Sequence, residues 1–166
     1  MTNKLTTRKL TYIALLTAIS SLSVMFLRVP NGVGGIIHPG DSIIYLTSIF
    51  FGPWAGAFVG GVGHSLANLI AGPQVFAPWT FVIKGIMGIV FGIIVRRNPK
   101  GAKLWIALLT CTAILVAAYF VANLVIFDFG VAVASILPLS IQGVAGIIVT
   151  IALLPIVNKI LRRNEL

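Results

Sequence analysis

Pro78-Trp-Thr-Phe-Val-Ile-Lys-Gly-Ile-Met-Gly-Ile-Val-Phe-Gly-Ile-Ile-Val95 holds one charged side chain, Lys84, and runs straight into Arg96-Arg97. A helical apolar run in the range of about 17–25 residues crosses the hydrocarbon core of a bilayer. A basic pair at its end is what the cytoplasmic edge of a span carries. The whole chain shares this character: of 166 residues, 58% are hydrophobic and 9% charged, and the mean hydropathy is +1.08. Soluble domains carry about 25% charged residues. The chain is therefore read as an all-α integral membrane protein. Six spans use roughly 120 residues and leave about 46 for connections, too few for a separate soluble domain.

Outward from that run, apolar stretches lie at 10–27, 41–51, 54–70, 78–95, 104–127 and 131–160, a bundle of six transmembrane helices in one membrane domain, 1–166. The second is short for a full crossing, and Gly52-Pro53 marks a tight turn between it and the third. The start, Met1 to Lys9, is too polar for a signal-peptide core, so the apolar stretch after it is taken as the first span. Cys111 is the sole cysteine, which excludes a disulfide framework.

Twelve Lys and Arg against three Asp and Glu give a net charge of +9. In a soluble protein that balance points to nucleic acid; in a membrane protein it points to topology. Lys4, Arg8, Lys9, Arg96, Arg97, Lys100, Lys103, Lys159, Arg162 and Arg163 all fall on the face shared by both ends. The positive-inside rule then places both termini in the cytoplasm of a multi-pass cell-membrane protein. Only Arg28 and Lys84 fall elsewhere. The outer loop 28–40 is rich in Gly and Pro, which deny it a helix, and it carries Ile36-Ile37. It is expected to fold back over the bundle as a lid.

Polar groups inside a bilayer are costly and usually face a cavity or a partner helix. At about 1.5 Å per residue from the outer end of each span, His64 lies about 10 Å deep, Asn68 about 4.5 Å, Lys84 about 7.5 Å, Asn123 about 6 Å and Gln142 about 16 Å. All sit in the outer halves of their spans, as a pocket open to the outside would require. Tyr119, Asn123 and Phe127 form one helical stripe, and Trp79, Phe76 and Phe81 lie near the same boundary. Amides, a lysine and aromatic rings suit a flat, polar-edged ligand. Each residue also has a plainer reading: Asn68 and Asn123 bridge helices, His64 packs against Gly60 and Gly61, the aromatics anchor the interface, and Asp41 or Asp128 pairs with Lys84 or Arg28.

Small residues recur at four-residue spacing, as Ala14 and Ala18, as Gly52, Gly56 and Gly60, and as Gly88 and Gly92. Such seams let helices approach closely in lipid. No Walker-type phosphate loop, paired carboxylates, Cys/His metal spacing or Ser-His-Asp set is present, so neither an enzyme nor a resident cofactor or metal is expected. No pair of inverted halves marks a secondary transporter. A binding protein without its own motor remains, with a self-sufficient facilitator or channel, or a structural subunit of another membrane complex, as alternatives.

Arg8-Lys-Leu-Thr-Tyr-Ile-Ala-Leu-Leu-Thr-Ala18, the glycine-rich outer loop, Phe51-Gly-Pro-Trp-Ala-Gly-Ala-Phe-Val-Gly-Gly61 and the basic C-terminus together resemble the substrate-binding S components of energy-coupling-factor (ECF) vitamin importers. The likeness is to the branch that handles riboflavin, pyridoxine and hydroxymethylpyrimidine. It implies a six-helix subunit that captures a vitamin outside and hands it to a transmembrane coupling subunit driven by two ATPases. It also implies coupling contacts at Ala14 and Ala18. The family often has Asp after the glycine run, where this chain has His64. With pyridoxine or hydroxymethylpyrimidine expected ahead of riboflavin, the expected substrate-binding residues are His38, Asp41, Asn68, Trp79, Lys84, Tyr119, Asn123 and Gln142. Trp79 and Tyr119 would stack; His38, Lys84, Asn123 and Gln142 would hydrogen-bond.

Overall fold

The computed structural model describes residues 7–30, 36–95 and 101–163. Lys4, Arg96, Arg97 and Lys100, and the 31–35 part of the expected lid, lie outside the described residues. The elements run α1 (Thr7–Phe26), β1 (Val29–Pro30), β2 (Ile36–Ile37), α2 (Asp41–Phe51), α3 (Pro53–Ala71), a 3-10 turn (Gln74–Phe76), α4 (Ala77–Val95), α5 (Ala102–Ile126) and α6 (Phe129–Arg163). Six helices thus stand where six apolar stretches were read, with ends within three residues of expectation. Four segments, Thr7–Phe26, Gln74–Val95, Ala102–Ile126 and Phe129–Val157, are long and apolar enough to cross a membrane. Helix α2 has eleven residues, about 16 Å, and α3 is diluted by glycines and by His64, Ser65 and Asn68.

Two chemical patterns set the helix boundaries. Gly52, at φ 94°, takes a left-handed conformation that suits glycine, and Pro53 follows at the start of α3, where its missing N–H costs nothing. This turn folds α2 back against α3. Lipid offers no hydrogen bonds, so the helices pair their backbone groups internally, save where Pro138 and Pro155 inside α6 have no N–H to give, and they present apolar side chains outward. Leu15 on α1, Phe58 on α3, Phe81 on α4, Trp105 on α5 and Ile148 on α6 are all exposed.

The glycine seams are internal, and they face one another. A Cβ on Gly88 of α4 would overlap the backbone of Gly56 and Ala57 on α3. One on Gly92 would lie 2.5 Å from the Pro53 Cα, and one on Gly60 would lie 2.9 Å from the Lys84 carbonyl oxygen. With no side chain between them the two backbones touch, and packing holds them in the absence of a hydrophobic drive. Ser48 of α2 joins this contact by donating to the Gly88 carbonyl at 3.0 Å. Opposite it, Ile44, Tyr45, Met87, Phe91 and Leu108 form a buried core shared by α2, α4 and α5. Tyr45 stacks on Phe91 with ring centres 4.6 Å apart.

Among the described residues, helix α1 packs chiefly on α3 and, less, on α2. It buries Thr17, Ser20 and Val24 and leaves Ala14 and Ala18 exposed. Between α1 and α2 the chain forms a two-stranded antiparallel hairpin, pairing Val29 with Ile37 and Pro30 with Ile36. The sequence reading has this segment as irregular. Strands of two residues carry no alternation to detect. The hairpin contacts α6 through β2, which draws the segment after it, with His38, over one end of the bundle.

Candidate functional site

Asp41 opens α2, where the helix dipole favours a carboxylate, and it is fully buried. Lys84 reaches it from α4, with Nζ 2.5 Å from Oδ1 and neither side chain exposed. Gln142 of α6 donates to the other oxygen, Oδ2, at 3.0 Å. One carboxylate thus gathers three helices that are remote in sequence. The buried carboxylate is thus hydrogen-bonded at both oxygens, as burial of charge demands.

A second polar chain lies beside it. Asn68 of α3 donates to the Thr80 hydroxyl at 2.8 Å, and that hydroxyl shares a hydrogen bond with the Tyr119 hydroxyl at 2.7 Å. The Tyr119 ring lies 5.7 Å from Lys84 Nζ, within reach of a cation–π attraction. Phe76 tilts against both Tyr119 and Phe127 at 6.2 and 6.0 Å. Asn123 donates to its own helix at the Tyr119 carbonyl, 2.9 Å away. Its amide oxygen is left for other partners.

A cavity of about 40 Å³ opens among these groups, lined by Ile36 and His38 from the hairpin side, His64 and Asn68 of α3, Pro73, Phe76, Thr80, Tyr119, Asn123, Leu139 and Gln142. This is water-sized space. Of the residues expected from sequence, His38, Asn68, Tyr119, Asn123 and Gln142 come together on its wall. Lys84 and Asp41 are not on the wall; they pair with each other nearby, as the sequence also allows. Trp79 is not brought to the cavity. It is half-buried against the apolar core, because Thr80 and Lys84, one turn apart on α4, point the inward face elsewhere. Thr80 escaped the sequence reading, although its spacing to Lys84 was the available signal. Ile36 carried a signal as part of the apolar pair in the expected lid; Pro73 and Leu139 carried none.

His64 also lines this space. Its Nδ1 sits 3.0 Å from the Gly60 carbonyl oxygen, and its ring stacks on His38 with centres 5.0 Å apart and planes at 25°. Burial, reinforced by neighbouring His64, holds the His38 imidazole well below its ordinary value of 6.5, so the ring is neutral.

Comparison with known proteins places this architecture. The chain is similar to an uncharacterised protein of Pyrococcus woesei, 32% identical over 130 residues, which are 78% of this chain and 87% of that one. It is similar to the thiamine precursor transporter HmpT of Lactococcus lactis subsp. cremoris (strain MG1363), 25% identical over 154 residues, 92% of this chain and 89% of the relative. A solved structure described as "Structure and mechanism of the S component of a bacterial ECF transporter" superposes with a TM-score of 0.76 and 21% identity, covering 93% of this chain and 97% of that one. At that identity it speaks for the fold. The family model for the ECF-type riboflavin transporter S component matches residues 4–159. The chain therefore belongs to the ECF-type riboflavin transporter S component family, membrane subunits of vitamin transporters that work with a transmembrane component and ATPases.

Proposed function

We propose that this S component captures a small, single-ring heteroaromatic vitamin or vitamin precursor, hydroxymethylpyrimidine or pyridoxine, from the outer face of the cell membrane. The observation that carries this reading is the cavity wall itself: the chain of hydrogen bonds from Asn68 through Thr80 to Tyr119, flanked by Asn123, Gln142 and the Phe76 ring. Amides and hydroxyls both donate and accept, which matches the edge of a nitrogen heterocycle, and the aromatic rings match its face. With about 40 Å³ free, any such ligand displaces side chains or the hairpin on entry. One ring demands far less displacement than the three fused rings of riboflavin. The name of the relative HmpT, a thiamine precursor transporter, supports the same choice.

In this reading His38, Asn68, Tyr119, Asn123 and Gln142 touch the ligand, while Asp41 and Lys84 hold α2, α4 and α6 in register behind them. Trp79, which packs against the apolar core, has no part in that contact. The segment 28–40 acts as the lid. The six helices alternate across the membrane with both ends in the cytoplasm, as the placement of ten of the twelve basic residues supports. Ala14 and Ala18, exposed on peripheral α1, meet the transmembrane coupling subunit, and two ATPase subunits supply the energy.

Calorimetric titration of the purified chain alone, without nucleotide, tests the substrate. Hydroxymethylpyrimidine or pyridoxine is expected to bind more tightly than riboflavin. Tighter binding of riboflavin, or no binding of any of the three, overturns the single-ring reading.

A further inference from the structure

His64 is fully buried on α3, and its Nδ1 faces the Gly60 carbonyl oxygen at 3.0 Å. A carbonyl only accepts, so Nδ1 holds the proton and Nε2 presents a bare lone pair. Among the described residues that Nε2 has no hydrogen-bond partner, and neither does the buried Nδ1 of His38. Two unpartnered imidazole nitrogens buried side by side are unusual, since buried polar atoms are nearly always paired.

The two nitrogens converge. Seen from the position where a side chain at Gly40 would begin, His64 Nε2 lies at 2.8 Å, His38 Nδ1 at 3.1 Å and the Ser23 hydroxyl at 3.1 Å. Glycine at this position keeps the gap between them open. Asp41 adds a carboxylate oxygen, Oδ1, 4.0 Å from His64 Nε2, and one ligand atom from each of His38, Asp41 and His64 lies within 4.8 Å of the others.

We propose that His38 Nδ1, His64 Nε2 and Asp41 Oδ1 form a site for one divalent transition-metal ion of the zinc, cobalt or nickel class. Metal–ligand bonds of about 2.0–2.2 Å require donor atoms up to roughly 4 Å apart, so the triad closes on an ion by side-chain shifts of about 1 Å. Two neutral imidazoles with one carboxylate suit these metals and not magnesium or calcium, which take oxygen shells. A backbone carbonyl on the far nitrogen of the ring is the usual support of a metal-binding histidine, because it fixes both tautomer and orientation. Lys84 bonds the same Oδ1, so the ion takes the second lone pair of that oxygen and competes with the ammonium for its charge. The three ligands come from the segment after β2, from α2 and from α3. A bound ion therefore ties the hairpin to two helices. The residues are too scattered in sequence for a spacing motif, which is why none was read there.

The test uses the tag-free full chain in detergent, stripped with a chelator and titrated with Co²⁺ while visible absorption is followed, then with Zn²⁺ in competition. One equivalent of Co²⁺ is expected, with the d–d bands of a nitrogen-ligated site that Zn²⁺ abolishes. His64→Gln and His38→Ala should each weaken binding at least about tenfold. His38 lies outside the helices, so its variant reports on the site even if His64→Gln fails to fold. Absence of stoichiometric binding, or an affinity that His38→Ala leaves unchanged, overturns the proposal. The ion shares His38 and His64 with the wall of the vitamin cavity, but Co²⁺ absorption and vitamin titration of the metal-free protein are separate readouts, so failure of one reading is distinguishable from failure of the other.

Discussion

Replacing Lys84 by Met removes the ammonium that bonds Asp41 and leaves a fully buried carboxylate with only the Gln142 amide beside it. Breaking a buried pair from one side costs about 3–5 kcal/mol, because the surviving charge is uncompensated. For a chain of this size 1 kcal/mol corresponds to about 2–4 °C, so Tm should fall by roughly 6–20 °C. Asp41→Asn alone should act in the same direction by stranding the Lys84 ammonium. The double variant carries neither charge, and the replacement amide still accepts from Gln142. It should therefore regain at least about 2 kcal/mol over Lys84→Met, a coupling expected only of groups in direct contact. Cys111 offers the assay: it is the sole cysteine and is buried, so a thiol-reactive fluorophore lights up as the bundle opens on heating. If the Tm losses of the two single variants simply add in the double, the pair does not hold these helices together and the reasoning is refuted.

The seam between α3 and α4 predicts a contrast within one helix. Gly88→Ala should cost about 1–3 kcal/mol, whereas Gly85→Ala, whose added carbon meets nothing nearer than the Ala57 carbonyl oxygen at 3.9 Å, should leave Tm nearly unchanged; equal effects would deny the backbone contact. Tyr119→Phe deletes the hydroxyl shared with Thr80 and should weaken vitamin binding about tenfold, measured by calorimetry; an unaltered affinity takes that hydroxyl out of the site. Ala14→Trp combined with Ala18→Trp should spare vitamin binding by the purified chain and abolish uptake by cells carrying the complete transporter, and normal uptake would remove α1 from the coupling interface.

How far the sequence spoke differs from element to element. Long apolar runs and their flanking charges located six helices closely, since crossing length is a property of composition alone. Depth along each helix is readable to half a span: it assigns Asn68, Asn123 and Gln142 to the outer halves of their helices, and one cavity joins them with Tyr119. Rotation about the helix axis was not readable, because a helix that is apolar on every side has no polar face to set its direction. That is why Trp79 was chosen over Thr80, its neighbour on the inward face. Pairing across the bundle was hidden for the same reason: Asp41 had both Lys84 and Arg28 as possible partners, and only the packing of α2 on α4 decides for Lys84. The hairpin escaped because two-residue strands leave no periodic trace.

The Asp41 cluster also bears on how the chain is made. Asp41 emerges from the ribosome on an eleven-residue helix, while its cation follows 43 positions later and its amide 101 positions later. Until α4 is inserted, the carboxylate lacks the Lys84 ammonium that pairs with it in the finished bundle, and until α6 arrives its other oxygen lacks the Gln142 donor. Biosynthesis therefore proceeds with an unfinished polar centre that only the complete bundle closes. A chain that ends before α4 therefore keeps a carboxylate on α2 without the cation that neutralises it in the complete bundle.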